Sequence, residues 1–170
     1  MRRFLAAACL VTLFPLSAVA QEASAKMVGP DGKELGAVAI TQTKSGMLSI
    51  SVDMNGLPPG VHGFHIHTTG KCEGPTFESA GGHLAGGKAH GVNAENGPHP
   101  GDFPNVNVAP DGTLKVEFFT DRLSLGEGEN ALLDADGASV MLHEGPDDYA
   151  TDPSGHSGGR IACGVIAQAT

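Results

Sequence analysis

Six histidines, one aspartate and one arginine are the residues in this chain best suited to chemistry. His65 and His67 stand two apart in Val61-His62-Gly63-Phe64-His65-Ile66-His67. His83, His90, His99 and Asp102 follow across a Gly/Pro-rich stretch, His143 closes the apolar run Ser139-Val140-Met141-Leu142, and Arg160 lies near the C-terminus. Imidazoles at this density suit borderline transition metals such as copper and zinc. Seven possible ligands exceed what one tetrahedral ion can use, so the set points to two metals close together. His65 and His67 lie at strand spacing, which sends both side chains to one face and makes half of a site. His83, His90, His99 and Asp102 offer three nitrogens and one carboxylate oxygen. Those four fill zinc's positions and leave none for water, as in a structural zinc site. His62 is out of phase with His65 and His67 and is read as a structural histidine. Arg160 carries a permanent charge and several donors suited to a small oxyanion.

The elements that must position these residues read as strands. Leu35, Ala37 and Ala39 alternate on one face; so do Leu48, Ile50, Val52 and Met54, then Val106 and Val108, then Leu114, Val116 and Phe118. Asp31-Gly32, Lys44-Ser45-Gly46 and Asp111-Gly112 supply turns, and Gly56 to Gly60 a wider connection. No segment shows a long helical period. Short strands with this punctuation predict an all-β antiparallel sandwich or barrel. Residues 68–105 and 144–160 are long, Gly-rich and without period, which marks them as functional loops.

Residues 1–20 read as a cleaved secretory signal: Arg2 and Arg3, an apolar run from Phe4 to Leu16, and Ala18-Val19-Ala20 before Gln21. The expected mature domain is 21–170, of a size for one domain. Without Arg2 and Arg3, eight basic residues face nineteen acidic ones, a balance of −11. That excludes nucleic acid as a natural partner, and the short apolar run predicts no stable membrane association. Cys9 leaves with the signal. Cys72 and Cys163 remain, and an even pair in an exported chain reads as one disulfide, the alternative being free or metal-bound thiols.

Together these motifs resemble the Cu,Zn superoxide dismutases, and the signal and the short span from His67 to Cys72 resemble the bacterial periplasmic branch. His62 to His67, Cys72, His83, His90, His99-Pro100-Gly101-Asp102, His143-Glu144 and Gly159-Arg160-Ile161-Ala162-Cys163-Gly164-Val165 follow that family's order from about Gly32 onward. The resemblance implies an eight-stranded Greek-key barrel of immunoglobulin-like sandwich type with two long functional loops. It implies copper on His65, His67, His83 and His143, zinc on His83, His90, His99 and Asp102, and His83 shared as the bridge. Asp147 matches the carboxylate that joins a copper-ligand histidine to a zinc-ligand histidine. The implied substrate is the superoxide anion, with Arg160 guiding it and His83 exchanging a proton, in the periplasm, by a monomer or homodimer. Two features depart from the family pattern. Leu84-Ala85-Gly86 stands where Phe-Asn-Pro is common, and the loop 144–160 holds no lysine before Arg160, so the lysine-assisted steering of the eukaryotic branch is not supplied there; Lys71 and Lys88 read first as solvated loop charges, a part in steering being the alternative. A metal carrier of the same fold and a copper-only dismutase are the rivals. Both complete ligand sets together with Arg160 weigh against them.

Overall fold

Alternating apolar residues build one curled antiparallel sheet, and its register decides which side chains reach the site. The structure is a computed structural model whose described residues are 21–169. The segment 1–20, read above as an export signal, lies outside them. Strands β1 (Glu22–Val28), β2 (Glu34–Gln42), β3 (Leu48–Met54), β4 (Gly60–His62), β5 (Phe64–His67), β6 (Val106–Val108), β7 (Leu114–Thr120), β8 (Ser139–His143) and β9 (Arg160–Gln168) follow in chain order. Seven form a sheet in the order β5-β8-β9-β1-β2-β3-β7, and β4 pairs with β6. β4 and β5 are one strand broken at Gly63, so the count is that of the expected eight-stranded all-β barrel. Gly63 is where the chain leaves the small ribbon: its N–H donates to Gly145 O and its carbonyl accepts His143 N–H. Among the described residues no helix is long and apolar enough to cross a membrane.

Leu48, Ile50, Val52 and Met54 all face inward, as their alternation predicts, and Val106, Val108 and Leu114 are buried with them. The core joins these to Phe64, Ile66, Leu125, Leu132, Val140 and Leu142. Burying side chains of this kind stabilises by roughly 1.5–3 kcal/mol each.

One expected strand face is corrected. On β2, Leu35 is buried but Ala37 and Ala39 face outward, while Val38 and Ile40 go into the core. The ladder with β1 slips between Met27 and Val28, pairing Met27 with Gly36 and Val28 with Glu34. The extra residue is a bulge, and a one-residue slip moves every later side chain to the other face. Gly36 permits it: its φ is 130°, and a Cβ there would meet Asp53 O at 2.2 Å. β1 itself went unread in the sequence, because its inward residues are Ala23, Ala25 and Met27.

The two long loops close over the β5–β8 edge. Isolated bridges join His65 to Asp102 and His67 to His83. Cys72 and Cys163 are joined by a disulfide that ties the first loop to β9 across 91 residues.

Candidate metal centre

β5 sends Phe64 and Ile66 into the core and His65 and His67 to the opposite face, under the two loops. β8 ends at His143, whose partner across the ladder is Arg160, the first residue of β9. Three strand termini thus converge, and the loop 68–105 adds His83, His90, His99 and Asp102. All six histidines and Asp102 are buried.

Two groups of donor atoms form. Nδ1 of His83, His90 and His99 lie 3.0, 3.2 and 3.2 Å from Asp102 Oδ1. The edge of a tetrahedron around an ion with ligands at zinc–nitrogen distance is about 3.3 Å, so this set has the size of a closed zinc site. The other carboxylate oxygen, Oδ2, is occupied by the N–H groups of Gly91 and His99. In the second group, His65, His83 and His143 each place a nitrogen within 4.8 Å of the others. His67 is next to that group rather than inside it; its ring lies 5.0 Å from that of His83 and 5.6 Å from that of His143. A carboxylate spans the two groups: Asp147 Oδ2 is 2.6 Å from His65 Nε2, and Oδ1 is 3.0 Å from His90 Nε2.

The proton positions follow from the partners. A carboxylate or carbonyl oxygen only accepts, so the ring nitrogen facing it carries the hydrogen. His65 Nε2 and His90 Nε2 therefore donate to Asp147, His67 Nδ1 donates to Gly81 O, and His143 Nδ1 donates to Gly158 O. The other nitrogen of each ring keeps its lone pair. Those atoms, His65 Nδ1, His67 Nε2, His90 Nδ1 and His143 Nε2, together with His83 Nε2, are buried without a hydrogen-bond partner. His90 Nδ1 lies close to Asp102 but is not aligned for a bond. Buried polar atoms are normally satisfied, and five unsatisfied imidazole nitrogens aimed into one region are the donor set that copper and zinc take. The residues fit both ions.

Electrostatics agree with a site made for cations other than protons. Burial first, then the neighbouring His83, lowers His67 to about 2. Burial lowers His143 to about 3, and burial against the hydrogen bond His83 donates to Asp102 leaves His83 at about 4. Burial alone would raise Asp102, but the hydrogen bonds from His83 and Gly91 outweigh it and hold the carboxyl well below its usual range.

Arg160 donates through both terminal nitrogens, to Phe77 O at 2.5 Å and Gly81 O at 2.7 Å. It lines an open cleft of about 440 Å³ with Pro75, Thr76, Glu78, Gly158 and Gly159. His62 stands apart from both groups, its ring nitrogens 2.8 Å from His143 O and 2.9 Å from Pro58 O. Lys71 and Lys88 are exposed loop residues outside that cleft lining. Sequence reading missed Asp152, which accepts His90 N–H at 2.6 Å, and the Asn105 and Tyr149 contacts to Asp147. Nothing in their spacing marks them, since each contact pairs a side chain with a main-chain group.

Comparison with known proteins places this geometry in a lineage. The family model for copper/zinc superoxide dismutase matches residues 34–166. The chain is 42% identical over 148 residues to superoxide dismutase [Cu-Zn] 2 of Aquifex aeolicus, covering 85% of this chain and 86% of that one. It is likewise 42% identical over 148 residues to superoxide dismutase [Cu-Zn] of Caulobacter vibrioides, covering 85% and 84%. Among solved structures, a SOD-like protein from Bacillus subtilis superposes with a TM-score of 0.80 at 41% identity, covering 84% of this chain and 96% of that one.

Proposed function

This chain belongs to the copper/zinc superoxide dismutase family, and from that premise we propose that it dismutates superoxide with two ions sharing His83. In this reading His65, His67, His83 and His143 hold copper, and His83, His90, His99 and Asp102 hold zinc. Two superoxide anions and two protons become one dioxygen and one hydrogen peroxide. Bound copper supplies the reversible one-electron chemistry, which zinc lacks.

The residues supply the rest. Arg160 is pinned by two carbonyls, which hold its charge at the cleft, and it orients the incoming anion. Burial of the donor rings excludes water from the anion's end point. His83 turns Nδ1 toward Asp102 and Nε2 toward His65 and His143. Its Nε2 is the atom at which a proton can be held and then handed to the nascent peroxide. Asp147 keeps His65 and His90 in the tautomers that leave Nδ1 of each unprotonated. Partners of this kind orient metal ligands.

The observation that carries the reading is the set of five buried imidazole nitrogens without partners, each on a ring whose other nitrogen is committed or shared. The N-terminal signal pattern and the disulfide support placing the enzyme in the periplasm as an antioxidant defence. The test is superoxide decay by pulse radiolysis on protein loaded with copper plus zinc or with zinc alone. Fast decay only with copper is expected. Equal, slow decay in both samples would sink the reading and leave a metal carrier.

A further inference from the structure

Tyr149 is the chain's single tyrosine, and it holds a backbone conformation that its residue type rarely adopts, with φ 65°. Such a residue persists only where its surroundings over-determine it. Here three bonds do so. Tyr149 N–H donates to Asp147 Oδ1 at 2.6 Å, its hydroxyl accepts Asn105 N–H at 2.8 Å, and its carbonyl accepts Asn93 N–H at 3.0 Å. Asn105 closes a ring. Its side-chain oxygen accepts Asp147 N–H at 2.8 Å, and its side-chain nitrogen donates to Asp147 O at 2.9 Å. Asp147 is therefore gripped at its N–H, its carbonyl and its carboxylate, and that carboxylate joins His65 to His90. The ring is anchored on the sheet side, because Asn105 directly precedes β6. It is anchored on the loop side too: a Cβ at Gly91 would lie 2.1 Å from the Tyr149 carbonyl carbon, so the two backbones touch next to His90.

We propose that Tyr149 is a positioning residue for the two metal clusters: through Asn105 and Asp147 it fixes His90 and His65 together, and so sets how firmly the zinc cluster keeps its ion. The inference rests on the assignment of those clusters given above. Replacing the ring by phenylalanine removes one oxygen. It leaves the Asn105 N–H without its acceptor and so loosens the Asn105 side of the ring that holds Asp147, while both histidines keep their own atoms.

The experiment compares wild type, Tyr149→Phe and Asn105→Asp, each loaded with copper and zinc. Zinc release to a chromogenic chelator is timed at neutral pH, and the visible spectrum is recorded with cobalt in place of zinc. Losing an outer partner of a metal ligand costs roughly 10- to 100-fold in affinity. We expect zinc to leave Tyr149→Phe about tenfold faster, with altered cobalt bands and a nearly unchanged thermal midpoint for the metal-free protein. Asn105→Asp, which sets an oxygen against Asp147 O, should release zinc faster still. Wild-type release rates and an unaltered cobalt spectrum in both variants would overturn the proposal. So would a lower metal-free midpoint without faster release, which would make Tyr149 a structural residue only. If wild type failed to bind one cobalt per chain, the cluster assignment itself would fall, and the proposal with it.

Discussion

β3 and the loop 68–105 bury their inward residues by opposite means. In β3, Leu48, Ile50, Val52 and Met54 are inward through period-two alternation, and each ladder partner on β2 and β7 is set by main-chain bonds. Nothing there depends on one particular side-chain atom. In the loop, His83, His90, His99 and Asp102 are inward although all are polar, and each must satisfy named atoms of the others. A hydrophobic contact is non-directional and degrades gradually, whereas a buried polar network loses a whole desolvation penalty when one member goes. Substitutions in β3 should therefore cost less than substitutions in the loop cluster.

The harshest way to test that contrast is His83→Ala. Both clusters lose a donor, so dismutation should fall by more than the roughly 100-fold that loss of an outer partner costs, and metal counting should show both ions retained poorly. Full zinc content in that variant would break the contrast. Arg160→Glu comes next. It removes a charge from the cleft and installs the opposite one, so turnover should fall roughly 10- to 100-fold, most at low ionic strength, with copper still bound. Loss of copper instead would make Arg160 structural.

Acid gives a third, smaller effect. The ordinary histidine value is 6.5, and burial lowers His83 to about 4, His143 to about 3 and His67 to about 2 in the metal-free chain. Below 6.5 the unfolded chain therefore binds more protons than the folded one. Stability is complete above about pH 6.5 and drains away as pH falls toward 4 and beyond. Thermal midpoints of metal-free protein between pH 7.5 and 4.5 should decline steadily; a flat profile would show the rings to be more accessible than their burial implies. The smallest effect belongs to β3. Ile50→Val should cost roughly 0.5–1.5 kcal/mol, or roughly 2–4 °C per kcal/mol of midpoint, with dismutation unchanged.

The same contrast explains what the sequence disclosed. Metal-binding residues announce themselves by type, since imidazole chemistry does not depend on which strand carries the ring, and β3 announces itself by period. The phase of β2 did not show, because a bulge at Gly36 is settled by the ladder with β1 and by the approach of Asp53 O. β1 was silent because alanine marks neither face strongly. Asn105 and Tyr149 were silent for another reason: they bond the main chain of a distant residue, and no local pattern encodes that.

His83 stands in both donor groups, and this has a consequence for descent. Two sites with separate residues can decay one at a time, each under its own selection. Here a change at His99 erodes one group and a change at His143 the other, but a change at His83 erodes both. A single codon can therefore cost the chain both donor groups, whereas loss of one group alone must come through the residues that are not shared.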